Sequence, residues 1–261
     1  MRDTELNRLR QIVRCVKLLA ILLALVLDCV LRRPRAGVES AVWAHEWSRK
    51  IVGALGVEWS VAGRLPESGA VVSNHLSYLD ILVYLSVRPF VMVAKSEVEH
   101  WPLLGKITQR AGTVYVQRGG GPSTYGAVNA AMAAAYRSGL PVLFFPEGTT
   151  TDGQSGVLPF RRGLFHSVLN EGVELRTAAV RYELVDSANE GASVARDVCW
   201  VGDDYLGPHL FRLLGLRGVK AEIQFGDEVR ARGDRFVLSE GARGVVVEMC
   251  EGALVSELVG V

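Results

Sequence analysis

Among the five histidines of the chain, His75 is the one followed five positions later by an aspartate, in the string Asn74-His75-Leu76-Ser77-Tyr78-Leu79-Asp80. Imidazole exchanges a proton near neutral pH, so a histidine beside a reacting hydroxyl can act as a general base. A carboxyl group on the far side of the ring can hold one tautomer and stabilise the imidazolium formed during reaction. The spacing suits this arrangement. The apolar run Ala70-Val71-Val72 reads as a strand ending near His75, and a helix starting near Leu79 would turn Asp80 back toward the ring. A single His-Asp pair is nonetheless more often structural than catalytic.

Two further strings place polar groups at the ends of apolar runs. Arg118 closes Val114-Tyr115-Val116-Gln117 and precedes Gly119-Gly120-Gly121; its planar guanidinium matches the oxygens of phosphate or carboxylate in a bidentate way. Phe144-Phe145-Pro146-Glu147-Gly148-Thr149-Thr150-Thr151 runs from an apolar strand into a turn, where Gly148 permits a tight bend and close backbone approach. Glu147 can accept hydrogen bonds from ligand hydroxyls or anchor the loop. Each string also has an ordinary reading, as a solvated arginine and as a simple turn. A Ser-His-Asp hydrolase would want a G-x-S-x-G elbow, and the chain contains no such string. Ser77, two residues from His75, is then the candidate nucleophile for that chemistry.

In chain order the strings read N-H-x-S-x-x-D, then K-x-E at Lys95-Ser96-Glu97 with P-x-x-G from Pro102 to Gly105, then G-x-V-x-V-x-R from Gly112 to Arg118, then F-P-E-G-T. Four blocks in this order resemble the glycerolipid acyltransferase family over roughly residues 70–182. The resemblance implies an O-acyltransferase that moves a fatty acyl group from a thioester, acyl-CoA or acyl carrier protein, to the free hydroxyl of a lysolipid. It implies His75 as general base, Asp80 as its orienting partner and Arg118 as the cation for the anionic part of the acceptor. Glu147, Gly148 and Thr149 would complete the acceptor site, and Arg161 and Arg162 follow a Pro-Phe pair as a basic residue does in the family. A thioester is already activated, so no metal or other cofactor is implied, only positioning and proton removal. The family's default acceptor is 1-acyl-sn-glycerol 3-phosphate, giving phosphatidic acid; another lysolipid, such as a lyso-ornithine lipid or a lysophospholipid, is the alternative. Two departures bear on that choice. Many members have arginine directly after Glu-Gly-Thr, where this chain has Thr150, and the proline usual in the fourth block is missing from Thr177-Ala178-Ala179-Val180. The rival readings are a lipid hydrolase and a lipid-binding protein with a decayed site, and the intact His75 and Asp80 count against decay.

Elements must bring these residues together. Short β-rich runs at 57–62, 70–73, 90–94, 113–117, 141–145, 176–182 and 219–225 alternate with helical stretches at 79–87, 103–111, 123–138, 163–170 and 239–258. This alternation predicts an α/β catalytic domain over residues 57–261, with a mixed, largely parallel sheet flanked by helices. In such sheets the chemistry gathers in loops at strand ends.

Residues 1–56 read as N-terminal membrane-docking helices. The apolar run from Leu18 to Leu27 is extended by Val30-Leu31 to about fourteen residues, roughly 21 Å of helix. A straight crossing needs about twenty. Arg10, Arg14 and Lys17 precede the run and Arg32, Arg33 and Arg35 follow it, without the charge asymmetry of a spanning helix. The segment is therefore expected to dock into one leaflet of the cytoplasmic membrane, with the active site facing the cytoplasm. A buried helix and a cleaved signal peptide are the alternatives; Leu31-Arg32-Arg33-Pro34-Arg35 is no small-residue cleavage site. Trp43, Trp47, Ile51 and Leu55 recur every four residues along one helix face, which suits either the lipid headgroup region or packing on the domain. The bilayer, the lysolipid and the thioester donor are the expected partners. With 29 basic against 28 acidic residues the chain lacks the basic excess of a nucleic-acid binder. A mean hydropathy of +0.21 is high for a soluble chain. Cys15, Cys29, Cys199 and Cys250 form no C-x-x-C pair, which fits a reducing compartment.

Overall fold

The apolar run before His75 has a hydrophobic layer on each side. Val71 joins one core cluster while Ala70 and Val72 join the other, as they must in a strand covered on both faces. The computed structural model describes residues 2–117, 122–185, 191–202, 204–230 and 233–258. Its elements run α1 (Arg2–Leu31), α2 (Val38–Leu55), β1 (Val57–Ala62), β2 (Ala70–Ser73), α3 (Tyr78–Val87) and β3 (Val91–Lys95). A 3-10 turn at Ser96–His100 leads to α4 (Leu104–Arg110), β4 (Val114–Val116), α5 (Pro122–Arg137), β5 (Val142–Phe144), α6 (Phe165–Glu171) and β6 (Leu175–Leu184). Then come α7 (Val194–Asp197), α8 (Leu206–Gly215), β7 (Val219–Val229) and α9 (Arg235–Leu258).

The described strands form one seven-stranded sheet in the order β1-β7-β6-β2-β5-β3-β4. Neighbours are parallel except β6 and β7, so the sheet is mixed and largely parallel, as expected. Helices α1, α2, α3 and α8 pack on one face, and α5, α6 and α9 on the other. The carboxyl ends of β2, β3, β4 and β5 share one edge. β2 ends there between β5 and β6, where the chain turns from building one side of the sheet to building the other, and ligands of open α/β sheets gather at such a place.

All seven strand segments expected from the sequence occur, with ends moved by a few residues. Two short helices were not foreseen, α7 and α8. Pro208 falls in the first turn of α8, where its missing N–H has no partner to lose.

The N-terminal helices depart from expectation in two ways. α1 extends well before the apolar run, through Arg10, Arg14 and Lys17, and it has two apolar faces. Leu18, Leu25 and Cys29 are buried against the body, whereas Leu19, Leu23 and Leu27 are exposed. Among the described residues, no helix is long and apolar enough to cross a membrane. The second departure concerns the tryptophans. Trp43 is 1% exposed and Trp47 8%, so these indoles do not sit among lipid headgroups; of the two readings of that stripe, packing on the domain is the one observed. Both indole N–H groups donate to Asp28 Oδ2, at 2.7 and 2.8 Å, because a buried indole must find an acceptor. Burial works to raise the Asp28 carboxyl, but the hydrogen bonds from Trp47 and Trp43 and the nearby Arg32 and Lys50 hold it below its ordinary range. The helical pair thus shares its core with the sheet.

Asp28→Ala is expected to loosen α1 from α2 and destabilise the protein by about 2 kcal/mol, the usual scale for hydrogen bonds to a charged acceptor. Urea unfolding followed by tryptophan fluorescence measures this, and a midpoint equal to wild type would show that the pair is held by apolar packing alone.

Candidate active site

Asn74 sets the geometry where β2 ends. Its side-chain amide accepts from Val180 N at 2.8 Å and donates to Val180 O at 3.0 Å, bridging to β6 as a strand residue would. The next residue, His75, therefore leaves the sheet in a fixed direction. Its Nδ1 lies 2.8 Å from Asp80 Oδ2, brought back by the first turn of α3. The same oxygen accepts from Leu76 N at 2.7 Å and Ser77 N at 3.0 Å. The Tyr182 hydroxyl donates to Oδ1 at 2.6 Å. Burial, and then Asp80 itself, push the Tyr182 phenol well above its ordinary value, so it remains a donor. An acceptor carboxyl facing Nδ1 puts the ring proton there and leaves Nε2 as the acceptor nitrogen. Phe145 stacks on the imidazole with centroids 4.0 Å apart and planes 8° from parallel. Asp80 is fully buried, while 16% of the His75 side chain meets solvent.

The loop after β5 is tied to the same place. Glu147 Oε1 accepts from His75 N at 2.8 Å, and Oε2 from Leu158 N at 2.8 Å. At 3% exposure with both oxygens engaged, Glu147 follows the second of its two sequence readings and anchors the loop. Burial pushes its carboxyl up, against the pull of the two backbone N–H donors and of His75. Gly148 has φ 73°, and a Cβ there would come within 2.5 Å of Arg161 Nε. A glycine is needed both for the left-handed backbone and for the guanidinium lying across it. Arg162 instead pairs with Glu240 at 3.6 Å and covers the Phe236 ring, so the two arginines are not equivalent. Thr151 N donates to His75 O at 2.9 Å, and Thr149 is exposed on this loop. The Thr150 hydroxyl donates to Trp200 O, while Trp200 N donates to Leu76 O at 2.9 Å. The segment before α8 therefore closes over the His75 turn.

His75, Asp80, Glu147 and Gly148 are thus brought together, with Thr149 alongside. Arg118 lies outside the described residues. Ser77 is fully buried at the start of α3, out of reach of a substrate carbonyl, which removes the candidate nucleophile for a hydrolase. Sequence reasoning missed Phe145 and Tyr182 as partners of the pair. Phe145 had a signal, since it ends the strand next to Pro146-Glu147, but nothing local marks Tyr182, which reaches Asp80 only through the pairing of β6 with β2.

The Acyltransferase family model matches residues 61–181. A lyso-ornithine lipid O-acyltransferase of Pseudomonas aeruginosa is 35% identical over 203 residues, 77% of this chain and 75% of that one. The chain belongs to the glycerolipid acyltransferase family. A 1-acyl-sn-glycerol-3-phosphate acyltransferase of Neisseria meningitidis is 37% identical over 140 residues, 52% of this chain and 54% of that one. The crystal structure of the acyltransferase PlsC from Thermotoga maritima shares the fold, with a TM-score of 0.60 over 95% of this chain and 96% of that one at 16% identity. Within this glycerolipid acyltransferase, the residue after Glu-Gly-Thr is committed to the Trp200 carbonyl, and the cation at the turn is Arg161 from the following loop.

Glu147→Gln tests the clamp. A glutamine offers one oxygen to two backbone N–H groups and turns its NH2 toward the other, leaving a buried donor unpaired at a cost of about 2 kcal/mol. A lowered unfolding midpoint together with reduced turnover is expected; wild-type stability would show that the two N–H groups are satisfied elsewhere.

Proposed function

We propose that this acyltransferase acylates the free hydroxyl of a lysolipid, with His75 as general base and an acyl thioester as donor. The observation that carries the reading is an imidazole whose Nδ1 is committed to Asp80 at 2.8 Å, leaving Nε2 to accept a proton. Nε2 takes the acceptor's hydroxyl proton as the oxygen attacks the thioester carbonyl carbon. The C–S bond then breaks, and the imidazolium returns the proton to the departing sulfur. One ester and one free thiol result. Asp80 faces the ring that becomes positive, and Phe145 limits its rotation. Acyl-CoA and acyl carrier protein both fit this chemistry.

The family's default acceptor, 1-acyl-sn-glycerol 3-phosphate, carries a phosphate monoester of nearly two charges, for which Arg161 and Arg118 are the proposed partners. A lyso-ornithine lipid is a second reading. It presents a carboxylate and an ammonium instead, and it is favoured by the commitment of Thr150 to Trp200, where many members carry arginine. Relatives named lyso-ornithine lipid O-acyltransferases also span most of both chains, as with that of Pseudomonas aeruginosa.

We further infer that α1 lies in one leaflet of the cytoplasmic membrane, where the lysolipid resides, with the site open to donors in the cytoplasm. Ile12, Val16, Leu19, Leu23 and Leu27, each 59–64% exposed, form a row along α1 on the side away from the body. An apolar face bordered by Arg and Lys suits the bilayer interface.

Turnover by the purified protein with a panel of lysolipids and both donor types tests the reading. His75→Ala is expected to lose about a hundred- to ten-thousandfold in turnover, with the protein still folded by circular dichroism. Near wild-type turnover would remove His75 as the base, and the preferred acceptor in the panel decides between the phosphate and ornithine headgroups.

A further inference from the structure

The chain leading into α8 passes beside the His75 turn at Cys199-Trp200, and three hydrogen bonds fasten these two residues to other parts of the molecule. Trp200 N donates to Leu76 O at 2.9 Å, on the residue after His75. Trp200 O accepts from the Thr150 hydroxyl, on the residue after Thr149. Cys199 O accepts from His209 Nε2 at 2.9 Å. A carbonyl can only accept, so Nε2 carries the imidazole proton and Nδ1 is left as the acceptor. The Tyr78 hydroxyl donates to it at 3.1 Å, and burial raises the Tyr78 phenol above its ordinary value, so it remains a donor. Trp200 and His209 both meet the Tyr78 ring edge-on, with centroids 5.7 and 5.5 Å away. On either side the strap is braced against α8. Buried Asp197 accepts from Ser193 N and pairs with Arg196 and Arg212. Trp200 Nε1 donates to Asp204 O, and the Asp204 carboxylate pairs with Arg212. His209 itself is fully buried. It reaches the strap from the protein interior and is out of reach of either substrate.

Two separate sets of bonds therefore meet at the site. The imidazole of His75 is held through Asp80, whose four partners are His75, Leu76 N, Ser77 N and Tyr182; the strap supplies none of them. The loop carrying Gly148 and Thr149 is different, because its next residue, Thr150, ends on the strap. Releasing Cys199 O would let Trp200 move and would free Thr150, while the ring of His75 kept its tautomer and plane. We propose that His209 is a positioning residue for recognition of the acceptor: by holding Cys199 O it fixes Trp200 against Thr150, and so sets the loop on which the acceptor rests. Small displacements of a binding group are enough to weaken recognition. The assignment rests on the lysolipid acylation proposed above.

The test is steady-state kinetics on the full chain, varying first the lysolipid that the unaltered protein prefers and then the thioester donor. Two substitutions divide the roles of the imidazole. In His209→Gln the amide nitrogen stands near the place of Nε2 and can still donate to Cys199 O. In His209→Asn the amide oxygen stands near Nδ1, able to accept from Tyr78 and too short to reach Cys199. His209→Asn is expected to raise the acceptor KM about tenfold, the scale of one lost buried hydrogen bond, with kcat and donor KM near wild type. Such a split marks lost acceptor binding and not a damaged chemical step. His209→Gln should recover most of the loss. Recovery by asparagine in place of glutamine would put the weight on the Tyr78 bond and overturn the proposal. So would a fall in kcat at unchanged acceptor KM, or a lowered unfolding midpoint with all kinetic constants kept, which would leave His209 a purely structural residue. Thr150→Val approaches the strap from the acceptor loop and carries the test if the His209 variants fail to fold; an unchanged acceptor KM there would also overturn it. Where both fold, the double variant Thr150→Val/His209→Asn should lose no more than the larger single loss, because both act through one strap, whereas additive losses would mean separate routes and refute it. Absence of turnover by the unaltered protein on every lysolipid of the panel would remove the lysolipid reading itself, and the assignment with it.

Discussion

A carboxyl group with no contact with water must find its hydrogen bonds inside the protein, and Asp80 finds four. Two are backbone N–H groups of its own turn, one is the His75 ring and one is a hydroxyl from β6. The turn between β2 and α3 can therefore close in one way only, since any other path would strand a buried acceptor, at a cost comparable to much of a domain's net stability. The same bonds set the imidazole's tautomer and plane. Local folding and the geometry of the proposed base are one arrangement here, because the interaction that ends the strand and starts the helix also orients the His75 ring.

Glu147 repeats the device one strand away. Its two oxygens join the His75 backbone to the backbone of Leu158, so two loops that leave neighbouring parallel strands are fastened side by side. Thr151 adds a bond to the His75 carbonyl, and Thr150 draws in the segment carrying Trp200. That segment leads into α8, whose buried His209 donates from Nε2 to Cys199 O at 2.9 Å and accepts at Nδ1 from the Tyr78 hydroxyl at 3.1 Å. Burial lowers the His209 imidazole below its ordinary value, which keeps it neutral and able to fill both roles. The site is thus walled by side chains whose hydrogen bonds are committed to the fold, while part of the His75 side chain meets solvent.

How much of this was legible in the sequence follows from which interactions are local. His75 and Asp80 were legible because a strand end and a helix start five residues apart leave few geometries, and the strand–helix alternation was legible because both faces of the sheet are covered. Tyr182 was not, since its contact with Asp80 depends on β6 lying beside β2 across about a hundred residues of chain. Glu147 was half legible: its turn could be read, but whether it faced a ligand or the backbone depended on the path of residues 156–158. The Trp43 and Trp47 stripe was correct in period and open in direction, because periodicity shows that a face is apolar and not what covers it. Asp28 decided it by supplying the acceptor that both indoles required.

The same limit applies to α1, and there the structure adds what periodicity lacked. A run of apolar residues too short to cross a bilayer divides between two faces, one built into the core and one left exposed. The inward face is secured by polar contacts at its beginning, through Gln11 and Arg14 to carbonyls around the end of α8, and at its end, through Asp28 to the indoles of α2. α8 reaches Tyr78 through His209, and Tyr78 opens the helix that carries Asp80. A helix resting on the leaflet would therefore be referenced to His75 through packed elements with few soft joints. An enzyme whose acceptor stays in the bilayer needs such a reference, since the distance from the surface to the base must match the distance from the lipid's acyl chains to its reacting hydroxyl. A mismatch of about an ångström is already enough to lower the rate substantially.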